Sequence, residues 1–249
     1  MKKLQDKVAV ITGGTTGIGQ AAAKLFHAEG ARVFITGRND KTLAEAKEHL
    51  PADVTTIRSD ASKLEDIDAL AAELKGKAGH IDVLYVNAGI AKFMPFESIT
   101  PEIFDEMFNT NVRGAYFTVQ KLLPLMGEGS SVVLTTSIAA DLGMATSSAY
   151  GATKAALSSF ARTLSNELAP RGIRVNEISP GPIETPIYDK LGMPDEQVAG
   201  FKGMMSELVP VKRFGSADEV AKAALYLASD DSSYLLGAKI RIDGGFALN

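Results

Sequence analysis

The fold is decided near the start of the chain by the stretch VAVITGGTTGIG, residues 8–19. Its first four residues are all apolar, which is typical of a short strand buried on both faces. A helical pattern over 20–28 and a second strand-like run over 32–36 follow, so the stretch opens a strand–helix–strand unit. Gly13, Gly17 and Gly19 leave room for a ligand beside the backbone, and the free N–H groups of a helix start favour a phosphate. We predict a dinucleotide site here. A glycine-rich turn without a ligand is the alternative, because the G-x-x-x-G-x-G spacing differs from G-x-G-x-x-G.

The alternation of strands and helices continues to the end of the chain. About seven strand-length apolar runs alternate with helical patterns, which favours a parallel sheet covered by helices. We therefore predict the α/β class: a single Rossmann-like, doubly wound domain over residues 1–249, with helices on both faces. A capping box is expected at 62–65, a helix that begins at Pro101 and runs to about 126, and a further cap at 216–219. The other predicted strands cover 54–58, 83–86, 132–136, 173–178 and 239–242.

The least regular segment of the chain is 183–214, which is rich in Pro, Gly and Met. It follows a predicted strand at its carboxyl end, where open α/β sheets bind their ligands. We predict a substrate lid inserted before the last helix and strand. A surface excursion without function is the alternative.

Composition restricts the classes of partner. Lys plus Arg is 26 and Asp plus Glu is 30, so the net charge is 26 − 30 = −4, and no basic block is present. We expect no nucleic-acid and no membrane partner. The chain has no cysteine, and its three histidines are not clustered, so we expect no metal site. No apolar run approaches the ~18 residues of a membrane span, and we expect a cytoplasmic protein.

The second informative stretch is Tyr150 to Lys154. Four residues apart on a helix, the two side chains lie on one face. A positive charge beside a phenol favours the phenolate, so we expect a lowered tyrosine pKa and a group able to exchange a proton with a carbonyl or alcohol. Ser137 follows a buried strand, where a ligand would lie. The alternative is a solvated lysine beside a half-buried tyrosine.

Together these residues resemble the short-chain dehydrogenase/reductase family over essentially the whole chain. The motifs that carry the resemblance are Thr12-Gly13-x-x-x-Gly17-Ile18-Gly19, Asp60, Asn87-Ala88-Gly89, Asn111, Ser137, Tyr150-x-x-x-Lys154 and Pro180-Gly181. The resemblance implies reversible hydride transfer between a nicotinamide and a carbonyl/alcohol pair. It implies that Tyr150 is the general acid/base, Ser137 polarises the substrate oxygen, Lys154 binds the nicotinamide ribose and lowers the tyrosine pKa, and Asn111 helps to hold a water. It also implies a homotetramer, with the small residues Ala152, Ala155, Ala156 and Ser159 as a candidate contact face.

The same resemblance implies the cofactor contacts. Asp60 would bond the adenine beside the Ala61 N–H, and residues after Pro180 would meet the carboxamide and pyrophosphate. The cofactor residues expected in this way are Gly13, Thr15, Thr16, Gly17, Ile18, Gly19, Arg38, Asp60, Ala61, Asn87, Ala88, Gly89, Tyr150, Lys154, Pro180, Gly181, Ile183 and Thr185.

The end of the second strand favours NADP over NAD. Gly37 stands where NAD-preferring relatives often carry Asp, and Arg38 follows with a guanidinium suited to a 2′-phosphate. Many NADP-preferring relatives also carry a basic residue where this chain has Thr16, and the hydroxyl of Thr15 is the candidate substitute.

The substrate is the least determined feature. The pocket residues that we expect are mostly apolar: Phe93, Ile138, Met144, Ile187, Tyr188, Met204 and Met205. They favour reduction of a moderately hydrophobic ketone, although each alone fits the core or a subunit interface equally well. A sugar of the glucose type, a 3-oxoacyl substrate and a catalytically silent dinucleotide sensor stay open.

Overall fold

A seven-stranded sheet forms the centre of the protein. The computed structural model describes residues 2–186 and 195–248, apart from the side chains of 195, 197, 199 and 201. The strands are β1 Val8–Ile11, β2 Arg32–Gly37, β3 Thr55–Arg58, β4 Val83–Val86, β5 Ser131–Thr135, β6 Arg174–Pro180 and β9 Lys239–Ile242. The strand order is β3-β2-β1-β4-β5-β6-β9, and every neighbouring pair is parallel. A separate parallel pair joins β7 Ile183–Glu184 to β8 Gly215–Ser216.

Helices cover both faces of this sheet. They are α1 Gly17–Ala28, α2 Asp40–His49, α3 Leu64–Lys77, α4 Pro101–Phe108, α5 Gly114–Leu122, α6 Ser148–Leu168, α7 Asp195–Leu208 and α8 Ala217–Ala228. A π-helical turn, Asn109–Arg113, joins α4 to α5, so the two form one long helix with a bulge.

The alternation of β1 shows how the core is divided. Ala9 and Ile11 pack with α1 and α8 on one face, whereas Val8 and Val10 pack with α3, α5 and α6 on the other. Both sets are buried, which explains why β1 reads as a continuous apolar run rather than an alternating one. The single doubly wound sheet with helices on both faces is therefore confirmed.

The order of the strands determines where a ligand can enter. The chain moves outward from β1 to β2 and β3, and then returns to place β4 on the other side of β1. The loops after β1 and β4 therefore leave the sheet in opposite directions and open a crevice at its carboxyl edge.

Local predictions succeed where a side chain caps its own helix. The capping box at Ser216 and Glu219 is present, and Pro101 begins α4. The capping box predicted at 62–65 is wrong, because Ser62 donates from its N–H and hydroxyl to Asp60 Oδ1 instead, at 3.0 and 2.8 Å. The aspartate is a stronger acceptor close in sequence, and α3 begins at Leu64 without that cap.

The segment 183–214 is more regular than its composition predicted. It contains the 14-residue helix α7, which Lys202 ties to Glu184 of β7 by an ion pair at 2.8 Å. The lid itself stays a prediction.

Among the described residues, no helix is both long and apolar enough to cross a membrane.

Candidate active site

The glycine loop and the Asn87-Ala88-Gly89 segment meet in the crevice between β1 and β4. Gly13 has φ +64°, and a Cβ there would lie 2.9 Å from the Ala88 Cα. The side-chain Nδ2 of Asn87 donates to the carbonyls of Thr12 and Gly13, each at 3.2 Å. The structure thus brings these two predicted motifs into direct contact.

The start of α1 is open to an anion. Gly17 has φ +55°, and Thr16, the residue before the helix, is extended. Among the described residues no side chain caps this helix, and its first turn contains no acid. The backbone N–H groups and the positive end of the helix dipole are therefore available to a phosphate. This part of the site fits a dinucleotide.

The segment after β6 lies beside the glycine loop. A Cβ at Gly17 would lie 3.3 Å from the Cβ of Thr185, so the structure brings Thr185 to the start of α1. Gly181, next to Pro180, is held against β9 by a hydrogen bond to the Ile242 carbonyl at 3.0 Å. Ile183 points into the core with α8, so its backbone rather than its side chain remains available to a ligand.

At the end of β2, an acidic side chain would require Thr15 to shift. A Cβ at Gly37 would lie 2.5 Å from the methyl carbon of Thr15, so a larger residue displaces Thr15. Arg38 follows it and is exposed. Burial acts to raise the pKa of Asp60, but hydrogen bonds from Ser62 and the charge of Arg38 outweigh it and leave that pKa below its ordinary value. Arg38 and Asp60 therefore lie in the same part of the site.

The catalytic candidates lie on α6 and at the end of β5. Lys154 is buried, and its Nζ donates to the Thr135 carbonyl at 2.9 Å. It lies 5.8 Å from the centre of the Tyr150 ring, on the same face of α6. Ser137 is hydrogen-bonded to the Tyr150 hydroxyl. The structure thus brings Ser137, Tyr150 and Lys154 together.

The expected lowering of the tyrosine pKa is wrong for the protein without a cofactor. Burial raises the pKa of Tyr150, and the hydrogen bond from Ser137 offsets only part of that rise. Burial also lowers the pKa of Lys154 to about 8. The ammonium is directed at the Thr135 carbonyl rather than at the phenol oxygen, so it does not dominate the environment of the tyrosine.

Asn111 is a fully buried connector in the π-helical turn. Its Oδ1 accepts from the Ile90 N–H at 2.8 Å, and its Nδ2 donates to the Ile90 carbonyl and the Thr153 hydroxyl at 2.9 and 3.0 Å. A Cβ at Gly89 would lie 3.2 Å from the Asn111 Oδ1 and 3.4 Å from the Lys154 Nζ. Asn111 therefore joins the loop after β4 to α6. The expected water contact stays a prediction.

Ala61, which with Asp60 is expected to bind the adenine, lies against the start of α5. A Cβ at Gly114 would lie 2.2 Å from the Ala61 carbonyl oxygen, so only glycine lets α5 approach Ala61 this closely. The Asp60 N–H donates to Asp66 Oδ2 at 2.8 Å, which fixes the strand end that carries both residues.

The expected substrate residues are dispersed. Phe93 packs edge-on against Tyr150 with ring centres 5.4 Å apart, and Ile138 is buried beside Ser137. Met144 lines a cavity of about 270 Å³ on the part of α6 that carries Ala152, and Tyr150 does not line it. On α7, Met205 is buried and Met204 is exposed. Ile187 and Tyr188 lie outside the described residues.

Sequence reasoning assigned no role to four residues that hold this site. Thr135 supplies the carbonyl for Lys154, Thr153 and Ile90 bind Asn111, and Thr12 accepts from the N–H groups of Asn87 and Ala88 at 3.0 Å. Thr12 directly follows β1 and opens the glycine motif, and Thr135 is the last residue of β5, two residues before Ser137. These positions are the signal that could have found both residues. The other two contacts depend on tertiary approach and leave no pattern in the sequence.

Comparisons with known proteins place the chain in a family. Residues 13–247 match a family model described as enoyl-(acyl carrier protein) reductase. The chain is 39% identical to the oxidoreductase AsL5 of Sarocladium schorii, covering 99% of this chain and 98% of that protein. It is 36% identical to the 3-oxoacyl-[acyl-carrier-protein] reductase of Thermotoga maritima, covering 99% and 100%. A solved short-chain dehydrogenase/reductase from Brucella melitensis, titled glucose/ribitol dehydrogenase, superposes with TM-score 0.91 at 34% identity over 99% of each chain.

The fold and the site define the class of protein, which is that of the NAD(P)-binding α/β oxidoreductases. In particular, the chain belongs to the short-chain dehydrogenase/reductase family and acts on an alcohol/carbonyl pair.

Proposed function

We propose that the protein is an NADP(H)-dependent reductase of a moderately hydrophobic ketone. The observation that carries the proposal is the cluster of Ser137, Tyr150 and buried Lys154 at the same edge of the sheet as the open start of α1. This cluster can hold a carbonyl oxygen and give it a proton, while the helix start can hold a pyrophosphate.

The protein's own residues account for the proton and the developing charge. A reduced nicotinamide, when bound, supplies the hydride to the carbonyl carbon. Ser137 donates a hydrogen bond to the carbonyl oxygen and stabilises the negative charge that develops there. Tyr150 transfers its hydroxyl proton to that oxygen, so the product is a secondary alcohol and a tyrosinate. The positive charge of Lys154 stabilises that tyrosinate.

The state of Tyr150 favours the reductive direction. Its raised pKa keeps the phenol protonated at neutral pH, which is the form needed to give a proton to a ketone. Oxidation of an alcohol needs the tyrosinate instead, so the oxidation rate is expected to rise with pH above neutrality.

The preference for NADP rests on Gly37 and Arg38. Thr15 occupies the space that an acidic side chain at position 37 would need, and the exposed guanidinium of Arg38 is free to face a 2′-phosphate. A bidentate arginine–phosphate pair is a strong and directional contact.

The test of the activity is oxidation of NADPH, and separately of NADH, with a panel of carbonyl compounds. The panel contains cyclic and aromatic ketones and a 3-oxoacyl thioester, with glucose-type sugars assayed in the oxidative direction. We expect the fastest turnover with NADPH and an apolar ketone, and loss of turnover in Tyr150→Phe with NADPH binding retained. Fastest turnover of the thioester or the sugar would establish the alternative substrates, and binding without any turnover would support the sensor.

The test of the cofactor preference is Arg38→Asp. The carboxylate is expected to repel the 2′-phosphate and to lower the NADPH/NADH ratio of kcat/KM at least tenfold, since one charged hydrogen bond contributes about 1.5–3 kcal/mol. Lys47→Asp makes the same charge change in the last turn of α2 and serves as the control. An unchanged ratio in Arg38→Asp would refute the assignment.

We further propose that the protein is a homotetramer that uses the outer face of α6. Ala152 and Ser159 are exposed there, and the exposed Tyr116 of α5 packs against Phe160 with ring centres 5.0 Å apart. Light scattering should give four times the 26.3 kDa chain mass, and Ala152→Arg should lower it. A cytoplasmic location stays a prediction.

A further inference from the structure

A fully buried tyrosine lies beneath the site and takes no part in the chemistry described above. Tyr85 is on β4, and its ring packs 6.3 Å from that of Phe26 on α1. Its hydroxyl lies 3.0 Å from the hydroxyl oxygen of Thr135, the last residue of β5. Burial raises the pKa of this phenol, so it stays protonated.

The direction of the hydrogen bonds follows from the groups around Thr135. The side-chain Nδ2 of Asn87 donates to the carbonyls of Thr12 and Gly13, which turns its Oδ1 toward the Thr135 hydroxyl at 3.3 Å. That oxygen can only accept, and threonine carries a single hydroxyl proton. Thr135 therefore donates to Asn87, and Tyr85 donates to Thr135.

The same threonine holds the catalytic lysine. Its carbonyl accepts from the Lys154 Nζ at 2.9 Å, while its hydroxyl is linked through Asn87 to the glycine loop. One residue thus connects Lys154, which lies beside Tyr150, to the loop that would bind the pyrophosphate. Its side chain is oriented by the hydroxyl of Tyr85.

We propose that Tyr85 is a positioning residue that orients Thr135 and so fixes Lys154 and the glycine loop relative to each other. For the reaction itself the inference rests on the proposed function. The hydrogen-bond chain exists in the protein alone, so it can be tested without turnover.

The first test uses Tyr85→Phe in the protein without cofactor. Phenylalanine keeps the ring and removes only the donor to Thr135. We expect faster amide hydrogen exchange in the loop 12–19 and at 87–89. Ser131→Ala is the matched control, because it removes a buried hydroxyl from the other end of β5, where Ser131 donates to the Leu227 carbonyl at 2.8 Å. Unchanged exchange in both segments of Tyr85→Phe would refute the proposal.

The second test separates positioning from loss of stability. We expect Tyr85→Phe to weaken dinucleotide binding and to lower kcat, each by about threefold to tenfold, the range that one neutral hydrogen bond supports. Ser131→Ala should lower the melting temperature without changing either quantity. A Tyr85→Phe protein that melts earlier but keeps wild-type affinity and kcat would show that Tyr85 is only structural. If wild-type protein neither binds nor turns over a dinucleotide, the proposed function fails while the exchange result still decides the role of Tyr85.

Thr135 provides the third test. Thr135→Val removes the hydroxyl between Tyr85 and Asn87, whereas Thr135→Ser keeps it and should recover most of the affinity lost in Thr135→Val. In the Thr135→Val background, Tyr85→Phe should change affinity by less than twofold, since both changes break the same chain. Effects that multiply in the double variant would contradict the proposal.

Discussion

Helices α1 and α8 are neighbours of equal length whose starts are built in opposite ways. Both have 12 residues, and they pack against each other on one face of the sheet. At the start of α8, Ser216 Oγ accepts from the Glu219 N–H at 3.2 Å, and Glu219 accepts from the Ser216 N–H at 2.8 Å. At the start of α1, no side chain among the described residues makes such a bond.

The difference separates a structural helix start from a functional one. The first N–H groups of any helix need acceptors, and α8 takes them from its own sequence. An acid in the first turn of α1 would satisfy the same groups but would repel a pyrophosphate. The missing cap of α1 is therefore what we expect of a helix whose acceptor is the ligand.

The largest expected effect is that of Gly19→Ala at the open start. The added Cβ would lie 2.2 Å from the Gly13 carbonyl oxygen, which is backbone and can move only by distorting the loop. We expect dinucleotide affinity to fall at least 100-fold in an equilibrium titration, since the loop loses the geometry that presents its N–H groups.

Gly76→Ala is the matched control for that variant. It adds the same methyl group in the last turn of α3, where a Cβ meets nothing within 4 Å. We expect unchanged affinity and a stability gain of up to about 1 kcal/mol. Wild-type affinity in Gly19→Ala would show that the loop is not the binding element.

The second effect comes from giving α1 the cap that α8 has. Thr16 is extended and precedes the helix, so Thr16→Asp can accept the first N–H groups and should raise the melting temperature. The same carboxylate should weaken dinucleotide binding about tenfold or more, because it takes the place and sign of the phosphate. Thr16→Asn caps without charge and should stabilise with a smaller loss of affinity. Tighter binding in Thr16→Asp would contradict the comparison.

These two helix starts also show what the sequence can predict. The strand–helix alternation, both helical layers and the cap at Ser216 follow from periodicity and local residue chemistry, which act within a few residues. The convergence of Gly13 with Ala88 follows from topology, since the ends of β1 and β4 must meet.

What the sequence did not predict depends on approach from distant segments. The lysine carbonyl acceptor at Thr135 and the raised tyrosine pKa result from burial, which a spacing of four residues does not reveal. The wrong prediction of a cap at Ser62 shows the same on a local scale. The carboxylates of Asp60 and Glu65 are alternative acceptors for the Ser62 N–H, and Asp60 is the one that accepts it.

The third effect tests the closed helix start. Ser216→Ala removes the hydroxyl that accepts from Glu219, which should cost about 1 kcal/mol of unfolding free energy. Dinucleotide affinity should not change, since Ser216 is the last residue of β8, directly before α8, and the start of α1 is left intact. Chemical denaturation and ligand titration of the same preparation measure the two quantities. A change in affinity without a change in stability would reverse the roles assigned to the two helices.

The smallest effect is a pH dependence confined to the α8 start. The hydrogen bond from Arg213 and those from Ser216 lower the pKa of Glu219 to about 2. A depressed carboxyl pKa contributes stability above its ordinary value of 4.5, and that contribution is lost as the pH falls from 4.5 toward 2. The melting temperature of wild type should therefore fall more steeply below pH 5 than that of Glu219→Gln. Arg213→Ala should flatten the curve in the same way, because it removes the principal donor. The difference in slope between wild type and either variant should be small, since the Arg213–Glu219 pair is exposed and screened by solvent. Identical slopes in wild type and Glu219→Gln would show that Glu219 caps α8 without depending on its charge.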